Sequence, residues 1–280
     1  MYRSETVELK KITLTKFCQE IEKIIKDVVD ETSLIDWDED HITRRLLHLM
    51  RVNLNGSQIE DLELRNIFIN PFKLKSKKLE NSYGDIAIVV KIEYKDGDTI
   101  EGVAFLEAKR KYKESGNFDA LKWDQLERIL SNASHSQLLM YDFKPITDFA
   151  PTGLENNRTT SGSNAMLSLP ITYMTTAPIQ NTLQLRKNND RLYKLSIPFS
   201  YQLAYRYFYG FDLQFDEKMI RAAKGDISEQ IKDLYPSYVV FITIQQGQKI
   251  ADKKNKEKFA VQEPRLDVNT EFFSPIREKD

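Results

Sequence analysis

The chain has 280 residues, of which 41% are hydrophobic, and its 41 Lys and Arg side chains nearly balance 42 Asp and Glu side chains. A sizeable core is therefore possible, and the overall charge selects no nucleic-acid, membrane or acidic partner. The single cysteine, Cys18, excludes a disulfide framework and a thiolate zinc site. No apolar run approaches the roughly 18 residues of a membrane span, and the first residues lack the apolar segment of a signal peptide. We expect a cytoplasmic globular protein that does not bind a membrane.

Two helices are predicted at the start of the chain. Apolar residues recur at helical spacing over 14–30, which indicates an amphipathic helix. The next helix has Asp38 as its N-cap and EDHITRRLLHLMRVN as its body. On that helix Glu39 shares a face with the apolar residues, whereas Asp40 is directed elsewhere. Alternatively, Glu39 is only an acidic residue of the first turn, where it interacts favourably with the helix dipole.

The strand signals are strongest over residues 83–113, YGDIAIVVKIEYKDGDTIEGVAFLEAKRKYK. Two runs rich in apolar and β-branched residues flank the turn sequence KDGD, which predicts a β-hairpin. Before it, IFINPF predicts a short strand that ends at Pro71. After it, the pattern predicts a helix over 118–131 and a buried strand over 136–143.

The second half of the chain begins with a polar, turn-rich loop over 153–164, which is the best candidate for a boundary. The elements predicted after it are one or two strands over 166–179, a helix over 197–210 that begins near Pro198 and ends at Gly210, and a strand over 237–246. The predicted division is a core over 1–150, an elaboration over 151–250 that completes or extends that core, and a polar, partly mobile tail over 251–280.

The register of the hairpin decides which charged residues meet. Alternation places Glu107 and Lys109 on one face of their strand. A two-residue turn would place Asp85 opposite Ala108, on the wrong face. A three-residue loop over 95–97, with a left-handed glycine, instead places Asp85 opposite Glu107 at roughly 5 Å. Two carboxylates at so short a distance repel each other unless a positive charge lies between them. A divalent cation would supply that charge.

An aspartate followed across a β-turn by Glu-x-Lys resembles the signature of the PD-(D/E)XK nuclease superfamily, with GD here in place of PD. The resemblance covers roughly residues 14–143. It implies an α/β, restriction-endonuclease-like fold, in which an αβββαβ core has a mixed central sheet flanked by helices and carries a C-terminal elaboration. It also implies a metal-dependent DNA endonuclease of a restriction or anti-phage system, as a homodimer or with other subunits of a defence complex.

The resemblance also implies roles for individual residues. Asp85, Glu107, the Ala108 carbonyl and Glu39 would bind Mg²⁺, with Mn²⁺ able to replace it, because all the donors are oxygens. Lys109 would be the catalytic lysine. Gln125, on the next helix, is a further candidate for the catalytic site. An exposed helical glutamine without a role is the alternative for Gln125.

The sequence KRKYK suggests contact with phosphates through Arg110, Lys111 and Lys113. Alternatively, these residues form a solvated strand end. Two other functions stay open. One is a catalytically weak nucleic-acid-binding or scaffold subunit, and the other is a small-molecule enzyme or interaction domain whose carboxylates form structural ion pairs.

Overall fold

The computed structural model describes residues 6–60, 64–75, 83–150, 171–225, 235–247 and 260–277. The architecture is α/β, with a mixed central sheet flanked by helices. The strands are β1 (Thr6–Glu8), β2 (Lys10–Ile12), β3 (Ser57–Glu60), β4 (Leu64–Leu74), β5 (Ile86–Glu93), β6 (Thr99–Arg110), β7 (Gln137–Ile146), β8 (Thr172–Pro178), β9 (Ile197–Pro198), β10 (Tyr238–Gln246), β11 (Ala260–Gln262) and β12 (Phe273–Pro275). The α-helices are α1 (Leu14–Ile35), α2 (Glu39–Leu54), α3 (Trp123–Asn132), α4 (Ile179–Leu185), α5 (Phe199–Tyr201) and α6 (Glu217–Lys224).

The central sheet has the strand order β2-β3-β4-β10-β5-β6-β7-β8-β9, and β12 pairs with β4. β5 and β6 are antiparallel, whereas β6 and β7 are parallel and are connected through α3. Along the chain α2 is followed by β3, β4, β5 and β6 and then by α3 and β7, and in the sheet β10 lies between β4 and β5. A strand from the second half of the chain, β10, therefore lies in the centre of the sheet.

The hairpin has the predicted three-residue loop. Ile86 pairs with Leu106, so that paired residue numbers sum to 192. The Tyr94 amide donates to the Asp98 carbonyl at 2.8 Å, and Gly97 has a left-handed φ of 96°. Because the side chains of a strand alternate, this register places Asp85 and Glu107 on the same face.

Helices pack on both faces of the sheet. Ile88 and Val90 of β5 belong to the core that α1 and α2 cover, whereas Ala87 and Val89 belong to the core beneath α6. The predicted N-cap is confirmed, since the Asp38 carboxylate accepts from the Asp40 amide at 3.0 Å. The helix predicted over 118–131 begins later, because residue 122 still has an extended backbone.

Pro71 does not end its strand as the sequence suggested. It lies within β4, paired with Val240 of β10. Its carbonyl accepts from the Ile276 amide at 3.2 Å, on the side away from β10. In an antiparallel pair the nitrogen and the carbonyl of one residue point to the same side, so the Pro71 nitrogen also points away from β10. It points to the flank of β4 where β3 has ended and β12 begins. The lack of an N–H on Pro71 therefore removes no hydrogen bond between β4 and β10.

The interpretation of 251–280 as a polar tail is wrong for residues 260–277. β12 joins the sheet beside β4, and Phe273, Ile276 and Val268 are buried. The predicted helix over 197–210 is a run of α, π and 3₁₀ turns that ends at left-handed Gly210. The loop predicted over 153–164 lies outside the described residues.

Among the described residues, no helix is long and apolar enough to cross a membrane.

Candidate functional site

The candidate site lies where β6 continues beyond the start of β5. Asp85 immediately precedes β5, and its Oδ2 accepts a hydrogen bond from the Ala108 amide of β6 at 3.0 Å. The backbone of β6 thereby holds the Asp85 carboxylate beside the end of the hairpin ladder. This position follows from the register, since the residue opposite Asp85 is Glu107.

Glu107 and Lys109 meet on the same face of β6. The Lys109 ammonium lies 2.5 Å from Glu107 Oε1 and also donates to the Ala108 carbonyl at 2.9 Å. Both side chains are buried, and Glu107 Oε2 has no hydrogen-bond partner. The predicted convergence of Asp85, Glu107 and Lys109 is therefore observed in the structure, with one carboxylate oxygen left unpartnered.

Glu39 reaches this site from the first turn of α2. Its Oε1 accepts from the Arg110 amide at 3.0 Å, and its Oε2 lies 3.7 Å from the Lys109 ammonium. Asp40 is directed elsewhere, as expected, because it pairs with Lys73 at 2.9 Å. The inward direction of Glu39 agrees with the helical phase read from the sequence.

The pKa values show that the three carboxyl groups are crowded. Burial, together with the negative charge of Asp85, raises the pKa of Glu107 to about 8. Burial also raises the pKa of Asp85 and of Glu39, against the attraction of Lys109. Burial alone would lower the pKa of Lys109, but the charges of Glu107, Asp85 and Glu39 outweigh it, and the net pKa is raised. The lysine is thus protonated, and the site holds one cation among three acids.

Gly84 explains why glycine precedes the aspartate. It has a φ of 106°, and a Cβ atom at this position would lie 2.8 Å from the Leu106 carbonyl oxygen. A side chain here would be strained by the backbone conformation and would also push β5 away from β6. The glycine therefore allows the close approach that places Asp85 on the Ala108 amide.

The residues present suit a hard divalent cation. The available donors are carboxylate and carbonyl oxygens, and Glu107 Oε2 is a buried oxygen without a partner. No group of three or more His, Cys, Asp and Glu side chains in the described part of the chain is arranged to hold a metal ion. Two carboxylates are nevertheless enough for Mg²⁺, which is usually bound through one or two of them together with water and phosphate.

The predicted phosphate contacts separate into two groups. Lys113 is exposed, and the Arg110 guanidinium stacks on the Tyr112 ring at 4.1 Å. Lys111 is buried instead, and its ammonium lies 2.9 Å from Asp142 and 2.6 Å from Asp190. The structure therefore pairs Lys111 with two carboxylates, and its contact with phosphate stays a prediction.

Gln125 is not brought to the site. It is partly buried on α3, and no hydrogen bond joins it to Asp85, Glu107 or Lys109 among the described residues. Trp123 on the same helix packs against the core beneath α3, as expected of a packing residue.

Two residues that were not predicted from the sequence hold α2 in place. The Thr43 hydroxyl donates to the Glu39 carbonyl at 2.7 Å and lies 2.8 Å from the Tyr141 hydroxyl. Tyr141 is the partner of Arg110 in the parallel pair of β6 and β7. Helical spacing could have indicated Thr43, four residues after Glu39, but only the parallel pairing of β6 and β7 brings Tyr141 to it.

Comparisons with family models, with curated proteins and with solved structures find no match to this chain. A functional assignment therefore depends on the geometry of the site itself.

Proposed function

We propose that the protein is a metal-dependent nuclease that hydrolyses phosphodiester bonds of DNA, most simply as an endonuclease. The observation that carries the proposal is the meeting of Asp85, Glu107 and Lys109 at the open end of the β5–β6 ladder. Buried carboxylates gathered around one lysine are costly to the fold, and such arrangements cluster at functional sites.

Asp85 and Glu107 would hold Mg²⁺ or Mn²⁺, with the Ala108 carbonyl and Glu39 as further oxygen donors. A bound divalent cation would stabilise the negative charge of the reacting phosphate and lower the pKa of a water molecule. The chain itself supplies the placement of these donors. The Ala108 amide orients Asp85 at 3.0 Å, and the Arg110 amide orients Glu39 at 3.0 Å.

Lys109 would act on the phosphate or on the attacking water. Its ammonium carries the only positive side-chain charge that the described residues bring into direct contact with Glu107. The contact with Glu107 keeps the amine protonated and near the carboxylates. A protonated donor at this position can hydrogen-bond to an oxygen on which negative charge develops.

A second candidate function is a nucleic-acid-binding or scaffold subunit without cleavage. The observation that favours it is the near-complete burial of the Glu107 side chain, which is 1% exposed and already paired with Lys109. In that case the charges form a structural network, and substitution of one partner would change stability rather than chemistry.

The test is cleavage of supercoiled plasmid, linear duplex and single-stranded DNA with and without Mg²⁺. Asp85→Asn and Glu107→Gln each preserve the shape of the side chain and remove its charge. Asp96→Asn, in the exposed hairpin loop, is the matched control. The nuclease proposal expects Mg²⁺-dependent cleavage that is lost in the two site variants and kept in the control.

Cleavage at wild-type rate by both site variants would contradict the nuclease proposal. Binding of DNA by a folded wild-type protein that never cleaves any of the three substrates would favour the scaffold function instead.

A further inference from the structure

Two carboxylates of the candidate site are held by backbone amides on one edge of β6. Asp85 Oδ2 accepts from the Ala108 amide, and Glu39 Oε1 accepts from the Arg110 amide, each at 3.0 Å. The two amides lie two residues apart, so both point to the side of β6 where β5 has not yet begun. Asp85 and Glu39 therefore occupy the places that carbonyl oxygens of a longer β5 would have filled.

The main chains of these two acids are fixed in different ways. Asp85 directly precedes β5, and its carbonyl accepts from the Tyr238 amide of β10 at 3.0 Å, so the sheet itself fixes its backbone. Glu39 is the first residue of α2, a helix that packs on one face of the sheet. A small shift of α2 would carry the Glu39 carboxylate away from β6. The position of Glu39 therefore depends on what connects α2 to the sheet.

Two hydroxyl groups make such a connection. The Thr43 hydroxyl donates to the Glu39 carbonyl at 2.7 Å and lies 2.8 Å from the Tyr141 hydroxyl. A carbonyl oxygen can only accept, so the single hydroxyl proton of Thr43 points to Glu39. The proton between Thr43 and Tyr141 therefore belongs to Tyr141. The hydrogen bonds run in one direction, from Tyr141 of β7 through Thr43 to the main chain of Glu39.

Glu39 is thus held at two points by one pair of residues in the sheet. Arg110 of β6 and Tyr141 of β7 are partners in the parallel ladder. The Arg110 amide binds the carboxylate of Glu39, and the Tyr141 hydroxyl reaches its carbonyl through Thr43. Tyr141 is 0% exposed and Thr43 is 2% exposed, so water does not compete for these bonds. Burial also raises the pKa of Tyr141, so its hydroxyl keeps the proton that it donates.

The contact with Tyr141 distinguishes Thr43 from an ordinary helical threonine. Threonines often donate to the carbonyl four residues earlier in their own helix, and this bond alone indicates no role. Thr32 of α1 does the same, because its buried hydroxyl donates to the Val28 carbonyl at 2.7 Å. In the described part of the chain, no hydrogen bond joins the Thr32 hydroxyl to a side chain of the sheet. The hydroxyl of Thr43, by contrast, connects its helix to β7 at the turn that carries Glu39.

We propose that Tyr141 is a positioning residue of the candidate site. It acts through Thr43 to hold Glu39 at the edge of β6, where the carboxylate serves the divalent cation, and in this it rests on the proposed function. Tyr141 itself contacts neither the cation nor the substrate. Groups that orient a metal ligand act through that ligand, and their loss typically costs about 10- to 100-fold in metal affinity.

The first test is calorimetric titration of the full chain with Mg²⁺. Tyr141→Phe and Thr43→Val each interrupt the hydrogen bonds that lead to Glu39, and each should weaken Mg²⁺ binding about tenfold. Thr32→Val is the matched control, because it removes the same kind of helical bond in α1, and its Mg²⁺ affinity should equal that of the wild type. In a protein that already carries Glu39→Gln, Tyr141→Phe should cause no further loss, because the carboxylate that Tyr141 positions is gone.

A second test uses the protein without metal and separates this inference from the proposed function. The Arg110 amide is protected from hydrogen exchange by its bond to Glu39. Its exchange rate, measured by NMR, should rise about fivefold in Tyr141→Phe and Thr43→Val, the effect of losing one hydrogen bond of ordinary strength, and should not change in Thr32→Val. A wild-type protein that binds no Mg²⁺ would contradict the proposed function. The exchange rates would then decide whether Tyr141 holds Glu39.

The inference is overturned if Tyr141→Phe keeps the wild-type exchange rate at Arg110, or if it keeps the wild-type affinity for Mg²⁺. It is also overturned if Thr32→Val weakens Mg²⁺ binding as much as Thr43→Val, or if Tyr141→Phe causes the same loss with and without Glu39→Gln. Either of these results would indicate a general loss of stability. Should Tyr141→Phe not fold, Thr43→Ser and Thr43→Val provide the comparison. The serine variant keeps the hydroxyl and should keep the affinity that the valine variant loses.

Discussion

The Asp85 carboxylate accepts a hydrogen bond from the Ala108 amide at 3.0 Å, across the point where the β5–β6 ladder ends. This bond aligns the aspartate with the strand that carries Glu107 and Lys109. The charged residues of the hairpin therefore form one site because of backbone pairing, and each can be tested by a substitution that leaves that pairing intact.

Lys109→Met should separate binding from chemistry if the protein is a nuclease. The substitution keeps the length of the side chain and removes the ammonium that contacts Glu107. DNA cleavage should fall by about 100-fold or more, the scale on which one positioned catalytic group contributes, while Mg²⁺ and DNA binding persist. Single-turnover cleavage and calorimetry measure the two effects. Lys95→Met, in the exposed loop, is the control, and an equal loss in both variants would contradict the role of Lys109.

Gly84→Ala should destabilise the site more than Gly97→Ala. Both glycines have left-handed φ angles, of 106° and 96°, so the backbone strain of the substitution is similar. Only the Cβ at position 84 meets another atom, the Leu106 carbonyl oxygen at 2.8 Å, whereas nothing lies within 4 Å at position 97. The difference in free energy of unfolding between the two variants should be about 1 to 3 kcal/mol, measured by urea denaturation. Equal free energies of unfolding for the two variants would show that β5 and β6 can move apart at position 84 without a loss of stability.

Mg²⁺ binding should strengthen as the pH rises from 6 to 8. Glu107 has a pKa of about 8 in the folded protein without metal, so below that pH a cation must displace its proton. The apparent affinity should fall by up to about tenfold for each pH unit below 8, with about one proton released at pH 7. Calorimetry in two buffers of different ionisation enthalpy measures both quantities. An affinity that is the same at pH 6 and pH 8 would contradict Glu107 as a ligand.

Ionisation of the Glu22 carboxyl group should lower the free energy of unfolding as the pH rises. This effect is independent of the candidate site. Burial raises the pKa of Glu22 to about 7, above its ordinary value of 4.5. Between these two pKa values the folded state binds more protons than the unfolded state, so the free energy of unfolding falls as the pH increases and levels off above 7. Glu22→Gln should therefore gain about 1 to 3 kcal/mol relative to wild type between pH 5 and pH 8, measured by urea unfolding. A constant difference across that range would show that Glu22 does not titrate in the fold.

Lys111→Met should affect folding and leave DNA affinity unchanged. Its removal leaves the buried Asp142 carboxylate without its cation, although the Tyr193 hydroxyl still donates to Asp142 at 2.6 Å. Breaking a buried pair in this way costs about 3 kcal/mol of the free energy of unfolding. Lys113→Met, at an exposed position, should show the opposite pattern, with stability kept and DNA affinity reduced. Weaker DNA binding by a fully folded Lys111→Met protein would instead support contact between Lys111 and phosphate.

The local geometry of the candidate site was predictable from the order of the amino acids alone. The KDGD loop with its left-handed glycine sets the register, and strand alternation then places Asp85, Glu107 and Lys109 on one face. The inward direction of Glu39 follows from helical periodicity. These features were predictable because each depends on backbone preferences over a few residues or on pairing across a single short loop.

The features that depend on distant segments of the chain could not be predicted and are seen only in the folded protein. The place of β10 between β4 and β5, and with it the tolerance of Pro71 inside β4, depends on strands that lie far apart in the chain. The burial of Lys111 depends on Asp142 and Asp190, which no spacing in the sequence connects to it. Pairings of this kind are selected by the packing of the whole core, because many alternative partners satisfy the same local pattern until side chains must fill one interior.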